Sequence, residues 1–152
     1  MAAIPFDELK VGWDCGSYEY HLTRGRILKY SEAVEDLNPW YEKDSPFGGP
    51  IASPTVCDND ITRLPGWKLI RGGDLEDPSN YRPGFLHAKQ EYEFLSPARP
   101  GNKVSVSGRI VDKYVKRGRE YVTVEALSVD GDGVPLLRTR GTLCWLAQKK
   151  EG

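Results

Sequence analysis

The chain has 152 residues, 39% of them hydrophobic and 28% charged, a size and balance that suit one globular core and are short for two. Its 21 basic and 22 acidic residues are spread along the chain and leave a formal charge of −1, which argues against a nucleic-acid partner. Cys15, Cys57 and Cys144 stand far apart with no Cys-x-x-Cys pair, so neither a disulfide framework nor a zinc site is expected, and a reducing compartment fits. Met1 to Leu9 is broken by Pro5, Asp7 and Glu8, and no apolar run approaches the roughly 18 residues of a membrane span. The reading is a cytoplasmic protein, a single domain over residues 1–152, with no membrane contact.

Ser17 to Leu22 alternates loosely and is rich in strand formers, so it reads as a first strand. Thr23 offers an N-cap, and Ile27, Leu28, Tyr30, Ser31, Val34 and Leu37 recur near a helical period, predicting one long helix that ends by Asn38 ahead of Pro39. From Tyr41 to Pro83 the chain carries six of its eleven prolines, an irregular excursion with a possible short helix around Thr55 to Leu64. Within it, Asp74 to Asn80 is expected to be the most mobile part. Strands are then predicted at Leu86 to Leu95, Lys103 to Lys116, Glu120 to Asp130 and Val134 to Leu146, as a four-strand antiparallel meander. Hairpin turns are expected at Lys116 to Arg119 and at Asp130 to Gly133, the second supplied with two residues that tolerate positive φ. The order predicts an α+β fold in which the sheet wraps one long helix, with the irregular excursion following that helix.

The segment Asp36-Leu37-Asn38-Pro39-Trp40-Tyr41 reads two ways. Asp-x-Asn-Pro is a natural helix stop and turn, because these side chains hydrogen-bond locally. The same geometry projects a carboxylate from a constrained corner. In the second sense the chain resembles the MaoC-like hydratases and dehydratases, especially the branch typified by the dehydratase domain of fungal fatty-acid synthase. Three stretches carry the resemblance: Tyr30 to Tyr41 follows a Tyr-x5-Asp-x-Asn-Pro-x-His pattern, Gly49 to Pro54 a Pro-Ile-x-His-Gly pattern, and Phe94 to Asn102 a Pro-x3-Gly-Asp pattern.

The resemblance implies a hot-dog fold and an acyl thioester, on coenzyme A or an acyl carrier protein, as substrate. It also implies that no metal or other cofactor is needed. In the family, the Asp and a His five residues later hold the water that adds to, or leaves, the double bond beside the thioester carbonyl. A backbone N–H stabilises the charge that develops on the carbonyl oxygen. Asp36, Asn38 and Tyr41 are therefore the catalytic candidates, and Ser53, Thr55 and His87 the substrate-binding ones.

Two departures fall on the chemistry. Tyr41 stands where the dyad histidine would be, and a phenol with an ordinary pKa near 10 is a poor proton acceptor at neutral pH. Pro54 stands where a glycine N–H would serve the thioester oxygen, and proline has none; Thr55 next to it offers its N–H or hydroxyl instead. The leading expectation is the less catalytic, acyl-binding member of a heteromeric hydratase or dehydratase, with the excursion helping to form an acyl tunnel. The alternatives are an autonomous homodimer using Asp36 with Tyr41 or His87, and a non-enzymatic acyl-thioester binding module.

His21 reads as an ordinary strand residue, and His87 as either a strand-end residue or part of the acyl site. The four tryptophans read as core or interface, and Lys113, Lys116, Arg117 and Arg119 as a solvated turn or a contact for coenzyme A phosphates. A sheet of this kind leaves edges to cover, so a homodimer or a heterodimer with a second MaoC-like chain is expected.

Overall fold

Five strands form one antiparallel sheet: β1 (Asp14–His21), β2 (Phe85–Phe94), β3 (Lys103–Lys116), β4 (Arg119–Val129) and β5 (Pro135–Trp145). The computed structural model describes residues 4–58, 60–71 and 85–145. Asp74 to Asn80, expected to be mobile, lie outside the described residues. Side-chain alternation accounts for the strands, since β4 turns Val122, Val124 and Ala126, all 0% exposed, to one face. The opposite face carries charge: Arg140 of β5 places Nε and Nη2 at 2.8 and 2.7 Å from Glu125 Oε2 on β4.

The sheet order is β1-β3-β4-β5-β2. Of the four strands predicted as a meander, β3, β4 and β5 form one, and the first of them, β2, lies instead on the far edge against β5. The chain returns from that edge to β3 through residues 95–102, which cross the end of the sheet. Leu95 N–H donates to Leu136 C=O at 3.0 Å, and Leu22 N–H donates to Asn102 C=O at 2.9 Å. Residues near the middle of this crossover hold the loop that precedes the site. Ala52 N–H donates to Ala98 C=O at 2.7 Å, and the Arg99 guanidinium donates to the carbonyls of Phe47 and Gly48.

Among the described residues three α-helices complete the fold: α1 (Arg24–Ala33), α2 (Asp60–Arg63) and α3 (Pro65–Arg71). Thr23 caps α1 as expected, accepting from Arg26 N–H at 3.2 Å. The helical layer against the sheet comes from α2 and α3, within the excursion, and α3 was not foreseen at all. Its Pro65-Gly66 start reads as a breaker in sequence. Proline is at home in the first helical turn, and a Cβ on Gly66 would stand 2.5 Å from Cys15 Cα, so only glycine lets α3 settle onto β1. Trp67, 1% exposed, reaches Gly141 on β5 in the same way, where a Cβ would meet its ring at 2.7 Å. Together with Leu64 and Ile70 it belongs to the one hydrophobic core cluster that the strands share.

Of the two hairpins, the one with paired positive φ is the first, at Arg117 (53°) and Gly118 (73°). The second has it only at Gly133, because Asp130 Oδ1 accepts from Asp132 and Val134 N–H and closes the turn itself.

Candidate functional site

The site begins where α1 stops. The predicted helix reached towards Leu37; the observed one ends at Ala33, because Glu35 adopts a left-handed φ of 56°. Asp36 N–H donates to Ser31 C=O at 3.0 Å and Glu35 N–H to Glu32 C=O at 3.1 Å, the two bonds of a Schellman cap. Ser31 Oγ donates to the Asp36 carbonyl as well. Glycine is the residue suited to Glu35's conformation, so no sequence signal marked this end. Glu35→Gly is expected to raise stability by about 1 kcal/mol, read as a rise in Tm of several degrees without change in ligand binding.

Beyond the cap, Asn38 Oδ1 accepts from Trp40 N–H at 3.0 Å and caps a single 3-10 turn, Pro39–Tyr41. Asn38 thus serves the turn, and the turn swings Tyr41 back on the helix end. The Tyr41 hydroxyl donates to Asp36 Oδ2 at 2.5 Å, and the ring is buried with 4% exposure. Burial foremost, then the hydrogen bond to Asp36, pushes the Tyr41 phenol above its ordinary pKa, against an opposing hydrogen bond from Ser53.

Ser53 continues the arrangement. It precedes a 3-10 turn at Pro54–Cys57, and its Oγ lies 3.5 Å from Thr55 Oγ1, which accepts from the Tyr30 hydroxyl at 2.8 Å. Two hydrogen-bonded sets result, Tyr41 with Asp36, and Ser53 and Thr55 with Tyr30, and Ser53 comes near enough to Tyr41 to act on its pKa. Tyr30 was visible in the sequence as part of the motif, six positions before Asp36, but its hydroxyl was not foreseen as a partner of Thr55.

His87 is placed elsewhere. It lies on β2 opposite Leu143, its Nε2 is 2.7 Å from Gln90 Oε1, and its ring meets that of Trp67 edge-on at 5.9 Å. Of the basic turn residues, Lys113 Nζ donates to Leu9 C=O at 2.8 Å and sits over the Phe6 ring, which ties it to the N-terminal segment.

Ser53 also faces an apolar cavity of about 240 Å³. Its walls come from three parts of the chain: Ile51 and Cys57, then Phe94 at the end of β2 with Ala98 of the crossover, then Leu137 of β5. The last two parts were illegible locally, since they reach the site only through the sheet order. Burial pushes the Cys57 thiol up to about 11, so it is an inert wall group rather than a nucleophile. Phe47, 53% exposed, and Trp40, 38% exposed, meet edge-on beside the cavity mouth. Among the described residues no group of three or more His, Cys, Asp or Glu side chains is placed to hold a metal. No described helix is long and apolar enough to cross a membrane.

A family model described as FAS1-like, dehydratase domain region matches residues 10–139. The chain belongs to the FAS1-like dehydratase-domain family. Among curated proteins, the UPF0336 protein of Saccharopolyspora erythraea is 22% identical over 149 residues, covering 92% of this chain and 91% of that one. Among solved structures, the MaoC-like dehydratase from Rhodospirillum rubrum superimposes with a TM-score of 0.73 at 18% identity, over 96% of this chain and 99% of that one. The HadBC 3R-hydroxyacyl-ACP dehydratase complex from Mycobacterium tuberculosis gives 0.68 at 16% identity, over 88% and 96%. The FAS1-like dehydratase-domain chain thus has the α+β hot-dog fold, and the dehydratase-domain membership, expected from its motifs.

Proposed function

We propose that this chain is the acyl-binding, less catalytic subunit of a heteromeric hydro-lyase that hydrates or dehydrates an acyl thioester, carried on coenzyme A or an acyl carrier protein. The observation that carries the reading is Tyr41. Where the dyad needs an imidazole there is a buried phenol, already bound to Asp36 at 2.5 Å and held above its ordinary pKa. Such a group gives a hydrogen bond but does not take a proton at neutral pH.

Pro54 adds to this, since it brings no N–H to the thioester oxygen. The apolar cavity beside Ser53 suits an acyl chain. The exposed edge strand β2, with Tyr92 and Phe94 at 41% and 53% exposure, suits a second hot-dog chain laid alongside it. A complex among the structural neighbours, HadBC, is in keeping with a two-chain enzyme.

The autonomous reading requires Asp36 to work with Tyr41 or His87. The described contacts of His87 are Gln90 and Trp67, which favours the heteromer. A third reading, a binding module without any enzymatic partner, is separated by the same assay. The purified chain is incubated with trans-2-octenoyl-coenzyme A alone and then with a co-expressed MaoC-like chain that keeps both Asp and His. Hydration is expected only in the pair. Turnover by the chain alone would establish the autonomous enzyme, and binding without turnover in any pairing the third reading.

A further inference from the structure

The apolar cavity runs from exposed lining residues to buried ones. Phe47 and Phe94, each 53% exposed, stand at the open side, while Ala52, Cys57 and Leu137, each 2% exposed, line the buried side. Backbone hydrogen bonds tie these walls to one another. Ala52 N–H donates to Ala98 C=O at 2.7 Å and Leu95 N–H to Leu136 C=O at 3.0 Å, so the loop, the crossover and β5 keep a fixed spacing around the space they enclose.

Cys57 belongs to two surroundings. It lines the cavity, and its Sγ also lies 3.2 Å from the Tyr20 hydroxyl. That hydroxyl is 3.0 Å from Asp60 Oδ2, which accepts from Ser128 at 2.8 Å, and Asp60 and Ser128 are 1% and 0% exposed. A hydrocarbon chain pushing past Cys57 would take partners from a buried carboxylate and put nothing in their place, which is costly. The cavity therefore ends at Cys57 for a chemical reason as well as a steric one.

Its volume sets the scale of what fits. An apolar cavity of about 150 Å³ takes a benzene molecule, roughly 25 Å³ per carbon. On that scale the 240 Å³ here hold at most about ten carbons. We infer that the site takes linear acyl chains of medium length, up to about ten carbons, and that Cys57 is the specificity-determining residue that closes it to longer ones. The inference rests on the cavity being the acyl site, as proposed above.

Alkyl-coenzyme A thioethers lack the carbonyl and cannot react, so binding is read without turnover. A series in one-carbon steps from hexyl to tetradecyl, each kept below the concentration at which it forms micelles, is titrated calorimetrically into the natural chain. Affinity is expected to rise about fourfold per added methylene up to about ten carbons, then to level off or fall. Enlarging Cys57 should move the break to shorter chains, by about one carbon in Cys57→Val and about two in Cys57→Leu, one for each heavy atom added. Cys57→Ser, nearly the same size and able to keep the Tyr20 contact, should leave it in place.

Affinity that keeps rising to tetradecyl in the natural chain would overturn the limit and leave the acyl site standing. A break that stays in place in whichever of Cys57→Val and Cys57→Leu folds would take the role from Cys57. Binding of none of the probes by the folded natural chain would overturn the acyl-site reading beneath the inference.

Discussion

Replacing Asp60 with alanine is expected to destabilise the protein by roughly 2–4 kcal/mol, which for a domain of this size is a large part of its stability. Asp60 opens α2 at 1% exposure, and its carboxylate accepts from Ser128 on β4 at 2.8 Å and from Tyr20 on β1 at 3.0 Å. Tyr18 donates to its backbone carbonyl at 2.9 Å. One side chain thus joins α2 to two strands that are not neighbours in the sheet, and its removal strands the fully buried Ser128 hydroxyl. Asp60→Asn keeps an acceptor and a similar shape, so its cost should be much smaller.

The two variants also differ in pH response. Burial raises the Asp60 pKa, outweighing the lowering by Ser128, Tyr20, Arg26 and Arg63. The folded state therefore holds this proton to a higher pH than the unfolded chain, whose carboxylate titrates near its ordinary value. As pH rises from that ordinary value through the folded pKa, stability from this group is lost, because the unfolded state ionises more easily. Asparagine has no such loss. Denaturant unfolding from acid to neutral pH should show Asp60→Asn gaining on the natural protein as pH rises. A difference independent of pH would contradict the assignment.

Much of the fold was legible because strands announce themselves by alternation. Lys103–Lys116 was read with the bounds observed, and the bounds of β2, β4 and β5 were read to within a residue at each end. The order of the strands was not legible, since nothing in residues 85–94 says that they will pair with β5 rather than β3. That choice is made by the crossover at residues 95–102, through hydrogen bonds to Leu136, Ala52 and Leu22. Helix α3 was hidden for a related reason: Gly66 lowers local helix propensity, and its value appears only against the backbone of Cys15.

The site divides in the same way. Asp36 and Tyr41 are five residues apart, and their pairing follows from the Asn38-Pro39 turn, which the sequence shows. Ser53 and Thr55 were accessible through the motif. The Tyr30 hydroxyl and the cavity walls from Phe94 and Leu137 required the folded chain, as did the separation of His87 from Asp36.

The second large effect concerns the division of labour between two chains. If Tyr41 has removed proton chemistry from this subunit, Asp36 here serves only to orient hydroxyls. Asp36→Asn, which retains an acceptor oxygen, then disturbs binding modestly and the chemical step hardly at all. In a partner with an intact Asp and His, the same change removes a group that moves a proton in the transition state, a contribution of about 10²–10⁴.

The decisive measurement is kcat for hydration of trans-2-octenoyl-coenzyme A by the assembled pair, with the Asp→Asn change made first in this chain and then in its partner. The expected result is a kcat within about threefold of the unmodified pair for Asp36→Asn here, and a loss of at least about a hundredfold for the partner's change. A loss of about a hundredfold or more from Asp36→Asn, in a pair that still assembles, would contradict the account and make Asp36 a working catalytic group of this chain.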